Sequence, residues 1–316
     1  MQINGYMVLG SAIVGLLVGM TGAGGGALMT PMLIFMFGIT PSAAISSDLV
    51  AAVIMRPVGA AVHLKRGTVN LRLVGWLAVG SVPAAILGAL LLKTFGTGPD
   101  AETRIEIVLG TALLVGAAAM ALRVLTRRGH DGLLPATELE VKPLPTVAVG
   151  LIGGLMVGLT SVGSGSLMIV LLLFLYPMVR ASGLVGTDLV QAIPLTAAAA
   201  LGQLLFGHVV FAVTLSVIIG SVPAVLVGSL LSSRAPDQLL RPIIFFVLLA
   251  SGLKYVGVGT TALAWTMGAV LATSGAGWLV VRQRRRRLSP ATGLSADPPV
   301  AGHPVPGTPS QSPASG

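Results

Sequence analysis

The sequence contains no cysteine, which excludes disulfides, thiolate metal sites and cysteine nucleophiles together. Charge is scarce as well. Asp, Glu, Lys and Arg make up 9% of the 316 residues, against about 25% in a soluble domain, and a water-facing surface cannot be assembled from so little. The four histidines are spread too widely for a metal-ligand cluster, and no nucleophile–base pair occurs at helical spacing. The chain is accordingly read as a non-enzyme with no metal and no cofactor, and it has no ATP-binding motif. No Lys or Arg precedes Arg56. The basic region of a cleavable signal peptide is therefore missing, and the first apolar segment is expected to be kept.

What the sequence does have is apolar length. Hydrophobic residues reach 54% and mean hydropathy is +0.94. Runs suited to a bilayer, which takes about 20 residues to cross ~30 Å of hydrocarbon, recur at Met7–Met20, Ser42–His63, Leu71–Leu92, Ile105–Leu125, Leu144–Thr160, Ser182–Phe206, Val209–Leu231, Leu239–Val256 and Thr261–Val281. They are continuous rather than alternating, which argues against a transmembrane barrel. The fold class expected is an all-α polytopic membrane protein embedded in the lipid bilayer.

The net charge of +9 does not point to nucleic acid. Arg282, Arg284, Arg285, Arg286 and Arg287 follow directly on the last apolar run, where basic residues anchor a helix on the cytoplasmic side. Beyond them, residues 288–316 are rich in Pro, Gly and Ser, and such a composition is expected to be disordered.

Internal comparison reveals a duplication. "GLLVGMTGAGGGALM" (15–29) aligns with "GLMVGLTSVGSGSLM" (154–168) at nine of fifteen positions. "SDLV" (47–50) matches "TDLV" (187–190), and "GSVPAAILGALL" (80–91) matches "GSVPAVLVGSLL" (220–231), with an offset that moves only from 139 to 140. The expected organisation is a first membrane repeat over 1–125, a cytoplasmic linker loop over 126–143 and a second membrane repeat over 144–257. An extra transmembrane helix with its basic anchor follows over 258–287, then the tail over 288–316.

Each repeat reads as a Gly-broken segment followed by three spans. In isolation, Gly22-Ala23-Gly24-Gly25-Gly26-Ala27 resembles a dinucleotide fingerprint. The second copy, "SVGSGS", breaks that glycine pattern, keeping Gly163 and Gly165 and the surrounding residues, so the nucleotide reading fails. As a membrane segment, the glycines end a helix inside the bilayer, where irregular backbone has to be buried in protein or line a polar cavity. The helix that restarts after such a break offers unpaired N–H groups and a positive dipole end, both favourable to an anion. Thr21, Gly22, Gly24, Gly25 and Gly26 are the candidate half-site, and Thr160, Ser161, Gly163, Ser164 and Gly165 are its partner, with Ser166 adding a hydroxyl. The outer glycines, Gly15/Gly19 and Gly154/Gly158, have the spacing of close helix packing.

If each broken segment returns to the side it entered, Lys65, Arg66, Arg72, Arg127, Arg128, Lys142, Arg180, Arg234, Arg241 and the terminal arginines share one side. That predicts an N-terminus outside, a C-terminus in the cytoplasm of a bacterial cell, and a pair of inverted repeats of the kind common in secondary transporters. The second arms, 27–37 and 166–175, span only about 17 Å and suit a re-entrant hairpin.

The motif "GLLVGMTGAGGGALMTPML", the "SDL" after it, "HLKRGTVN" at 63–70 and the "GSVPAAILGALL" span together resemble the sulfite exporter TauE/SafE family of membrane transporters. The resemblance runs over about residues 5–257. It implies export or uptake of a small anion, notably sulfite or an organosulfonate, and the inverted repeats are expected to move it by alternating access around the paired breaks.

Ionisable residues inside a span face a cavity as a rule. Asp48 and Asp188 are equivalent in the two repeats and are read as either coupling groups or acceptors for the broken backbone of their own hairpins. Arg56, opposite Thr196, is a candidate anion ligand through bidentate hydrogen bonds. Gln191, His63 and Gln203 complete the polar set, His63 near the interface. A coupling proton or sodium ion, a passive anion channel and a cation-coupled transporter of another substrate stay open at this point, as does the oligomeric state.

Overall fold

The computed structural model describes residues 3–21, 25–65, 69–96, 98–126, 136–165, 167–179, 181–231 and 237–272. Ten helices follow in order: α1 (Gly5–Thr21), α2 (Gly26–Phe37), α3 (Pro41–Lys65), α4 (Leu71–Thr94), α5 (Pro99–Thr126), α6 (Pro143–Thr160), α7 (Leu167–Leu175), α8 (Ala181–Phe206), α9 (Phe211–Leu231) and α10 (Asp237–Tyr255). A short 3₁₀ turn at Ala136–Glu138 precedes α6, and α11 covers Thr260–Ala272. No strand occurs among the described residues. Residues Met1–Met267 form one compact unit. Of the second unit, Gly268–Gly316, only 268–272 are described, as helix.

Helix starts follow local chemistry. Pro41, Pro99 and Pro143 stand at the first helical position of α3, α5 and α6, where a missing N–H costs nothing. The Asn70 side chain caps α4 by accepting from the Leu73 N–H at 3.0 Å. Glu102 of α5 caps α3 from outside, accepting from the Ser42 N–H at 3.1 Å and the Ser42 hydroxyl at 2.5 Å. α2 closes on Gly38, whose φ of 63° is the left-handed turn that glycine takes without strain.

Six helices are long and apolar enough to cross a membrane. The exterior is apolar to match, with Tyr6, Leu9, Val79, Leu144, Leu230 and Trp265 all turned outward. α2 and α7, by contrast, have 12 and 9 residues, or about 18 and 14 Å at the helical rise. Neither is long enough to span ~30 Å.

The halves are interlocked rather than side by side. α1 lies along α9, and α6 lies along α4; α3 packs on α8, and α5 on α10. Exchanging α1–α5 with α6–α10 carries the first two packings onto each other and each of the last two onto itself. The glycines explain the two long contacts. A Cβ at Gly15 would stand 2.7 Å from the Ser221 carbonyl oxygen, and one at Gly19 would overlap the Val225 carbonyl. In return Gly220 and Gly228 of α9 receive the Val8 and Leu16 carbonyls of α1. α4 and α6 repeat the arrangement: Gly154 and Gly158 receive Ser81 and Ala85, while Gly80 and Gly88 receive Val147 and Leu155. With lipid as apolar as leucine, such backbone-to-backbone approach is a main source of association energy.

Candidate functional site

The two helix breaks meet. Gly26, the first residue of α2, lies against Ser161, the C-cap of α6, so closely that a Cβ on Gly26 would overlap the Ser161 carbonyl group. Gly25, just before it, is 3.6 Å by the same measure from the Met55 methyl of α3. In the second break Ser161, Gly163 and Gly165 all have positive φ, at 59°, 122° and 89°. Ser161 accordingly holds a left-handed conformation without the freedom of glycine, at a cost of about 1–2 kcal/mol.

Three charged side chains converge on this junction from the central helices. Asp48 lies about 10 Å into α3, and its Oδ2 accepts from the Ser161 hydroxyl at 2.6 Å and the Thr30 hydroxyl of α2 at 3.1 Å. Arg56, two turns further along α3, donates through Nη2 to the Ser164 hydroxyl at 2.6 Å. Asp188 of α8 is faced by the Gly165 N–H, and Arg56 is close enough to act electrostatically on both carboxylates. Asp48 and Asp188 are each 1% exposed and Arg56 8%. Among the described residues no acid and base approach within 4.0 Å here, so the guanidinium is held by a hydroxyl rather than tied into an ion pair.

Of the two readings of the aspartates, that of acceptors for their own hairpins describes them unequally: Asp188 is faced by Gly165 of its own break, whereas Asp48 takes its short bond from the opposite repeat and a longer one from Thr30 of its own arm. The contact of the two breaks is what brings Ser161 within reach of α3.

The remaining candidates divide. Thr21 and Thr160 turn their hydroxyls onto the carbonyls of Leu17 and Met156, both at 2.7 Å, each within its own helix. Gln191 donates to the Ser81 hydroxyl of α4 at 2.6 Å. Gln203 donates to the Gly158 carbonyl at 3.0 Å and accepts from the Ser46 hydroxyl at 2.8 Å, pinning α8 to α6 and α3. Gly22, Gly24 and Ser166 lie outside the described residues, as do the His63 side chain, the terminal arginines and the tail. Thr30 was not anticipated from sequence. Its position in the second repeat is Ile169, and a search guided by paired polar residues passes over it.

A second pair of bonds obeys the repeat. The Ser47 hydroxyl accepts from the Val210 N–H ahead of α9 at 3.3 Å, and the Thr187 hydroxyl accepts from the Asn70 N–H ahead of α4 at 3.2 Å. The residue before each buried aspartate is thereby tied to the entrance of the other repeat's fourth helix.

A bundle of apolar helices, outward-facing leucines and a buried charged centre at paired helix breaks together make a multi-pass membrane transport protein. The chain belongs to the sulfite exporter TauE/SafE family, whose model matches residues 7–255. It is 39% identical over 252 residues to the probable membrane transporter protein YjnA of Bacillus subtilis, covering 79% of this chain and 98% of that one. The probable membrane transporter proteins YdhB and YunE of the same organism are 23% and 22% identical, over 78% and 80% of this chain and 98% and 97% of theirs. No solved structure matches.

Proposed function

We propose that this protein is a secondary transporter of a small oxyanion, sulfite or an organosulfonate, working by alternating access around the junction of the two helix breaks. The observation that carries the reading is Arg56. It is the one buried cation in a described position, it is held by a single serine hydroxyl, and it stands where the two breaks touch. A guanidinium in that setting offers further N–H donors to an oxyanion in a fork geometry. The Ser164 hydroxyl, accepting from Arg56, keeps its own hydrogen for the same ligand.

Support for alternating access comes from the exchange symmetry of the packing, which allows two equivalent arrangements about one site. The proposed orientation has the N-terminus outside and the C-terminus in the cytoplasm of a bacterial cell membrane. α2 and α7 are then re-entrant arms approaching the junction from opposite faces.

The test is uptake of labelled sulfite, sulfate and taurine-derived sulfonates by the purified full chain in sealed vesicles. Sulfite or a sulfonate should accumulate above its outside concentration, and Arg56→Gln should abolish the flux while leaving a folded protein. Flux that only equilibrates would make the protein a passive channel. Unchanged flux in Arg56→Gln would remove the site from the junction.

A further inference from the structure

The two aspartates, equivalent in the duplication, have unlike surroundings. Oδ1 is buried and without a partner in both Asp48 and Asp188. Asp48 has two hydroxyl donors on its other oxygen, whereas among the described residues Asp188 has the Gly165 N–H alone facing it as a donor. One turn beyond Asp188 stands Gln191, fully buried, with its amide nitrogen committed to Ser81 and its Oε1 without a partner. One turn beyond Asp48 the first repeat has Ala51. The second repeat alone therefore sets two unpartnered acceptor oxygens at positions i and i+3 of one helix, which share a face.

Two buried acceptors without a donor are costly to keep, and a single proton satisfies both. A proton taken from water onto Asp188 Oδ1 converts the carboxylate to a carboxylic acid, and the new O–H donates to Gln191 Oε1. We infer that Asp188 is the proton-carrying group of this transporter, that Gln191 is the residue that receives its O–H, and that Asp48 is a positioning residue for the Ser161 turn. This deepens the proposed function and rests on it only for what the proton accompanies. Asp48, Asp188 and Arg56 fully ionised give the junction a net charge of −1, unfavourable to an anion. Protonating Asp188 brings it to zero, so proton and oxyanion enter together.

The other charged groups on elements packed against α8 lie elsewhere. Arg72 is exposed at the start of α4, and Lys93 sits over the Phe206 ring, 5.4 Å from its centroid, at the far end of α8. Lys142 precedes α6, Glu138 is exposed on the 3₁₀ turn, and α7 has no titratable residue. Among the described residues, Arg56 and Asp48 of α3 are the charged groups at the junction with Asp188.

The experiment is infrared difference spectroscopy of the full chain in lipid vesicles, with no substrate present, between alkaline and acidic buffer. The wild type should show the C=O stretch of a buried protonated carboxyl. That band should be lost in Asp188→Asn, kept in Asp48→Asn, and moved to higher wavenumber in Gln191→Leu, where the acid loses its acceptor. Should Asp188→Asn fail to fold, the Gln191→Leu shift decides alone. A band that survives in Asp188→Asn, disappears in Asp48→Asn, stays unmoved in Gln191→Leu, or responds to sodium at constant pH overturns the assignment. Because sulfite is absent, failure of sulfite transport would count against the proposed substrate and leave this result standing.

Discussion

Ser161 donates a 2.6 Å hydrogen bond to Asp48 across 113 positions of chain and from one repeat to the other. The bond is made by the only non-glycine residue with positive φ among those described, at 59°. Backbone strain and carboxylate recognition thus fall on a single residue.

Replacing Ser161 separates those two effects. Ser161→Ala removes the bond and keeps the strain. Ser161→Gly removes the same bond and relieves a left-handed penalty of about 1–2 kcal/mol. Interhelical hydrogen bonds in membrane proteins average about 0.6 kcal/mol and reach about 1.7 kcal/mol. Thermal unfolding in detergent should therefore rank wild type above Ser161→Ala, with Ser161→Gly the more stable of the two variants.

The glycine contacts predict a sharp positional contrast. At Gly154 a methyl group would overlap the Ser81 carbonyl, and at Gly15 it would press on Ser221, so alanine at either position should greatly reduce the folded yield. Gly75 of α4 has nothing within 4 Å of where its Cβ would lie. Gly75→Ala should be neutral or stabilise by about 0.5–1 kcal/mol, the ordinary gain for a helix interior. Size-exclusion profiles of the three variants read the difference directly.

Gln203 is a brace at a distance from Arg56. Gln203→Leu strands the Gly158 carbonyl and leaves the Ser46 hydroxyl only its bond to the Ser42 carbonyl of its own helix, at about 1–3 kcal/mol for two lost interhelical bonds. A fall in melting temperature is expected, with the KM for sulfite unchanged in the protein that remains folded. A raised KM would move Gln203 into the binding site.

Ser164→Ala tests the partner of Arg56. Loss of one hydrogen bond to a charged group costs about 1.5–3 kcal/mol, so KM for sulfite should rise roughly tenfold or more. The melting temperature should fall as well, since that hydroxyl makes the hydrogen bond that holds the guanidinium. An unaltered KM would show that this hydroxyl does not face the substrate.

Much of the fold is legible in the chain because lipid imposes long apolar runs. The breaks, the duplicated aspartates and the lone Arg56 are legible because polar groups stand out against that background. Pairings between distant helices are not. Nothing local to α1 says that its glycines meet α9 rather than α4, since both partners carry the same "GSVP" pattern. Thr30 escapes for a related reason: a single hydroxyl in an apolar helix ordinarily bonds its own backbone, as Thr160 does. Only the fold brings Thr30 beside Asp48.

The interlocking of the halves also sets a schedule for synthesis. α1 is complete at Thr21, and the helix it packs along begins at Phe211. At about 5–20 residues per second, roughly 190 residues of translation take about 10–40 seconds. For that interval the glycine face of α1 is in the membrane without its partner, available to whatever chaperone or insertase stands beside it. Folding of this transporter is thus finished by its second half and cannot proceed repeat by repeat.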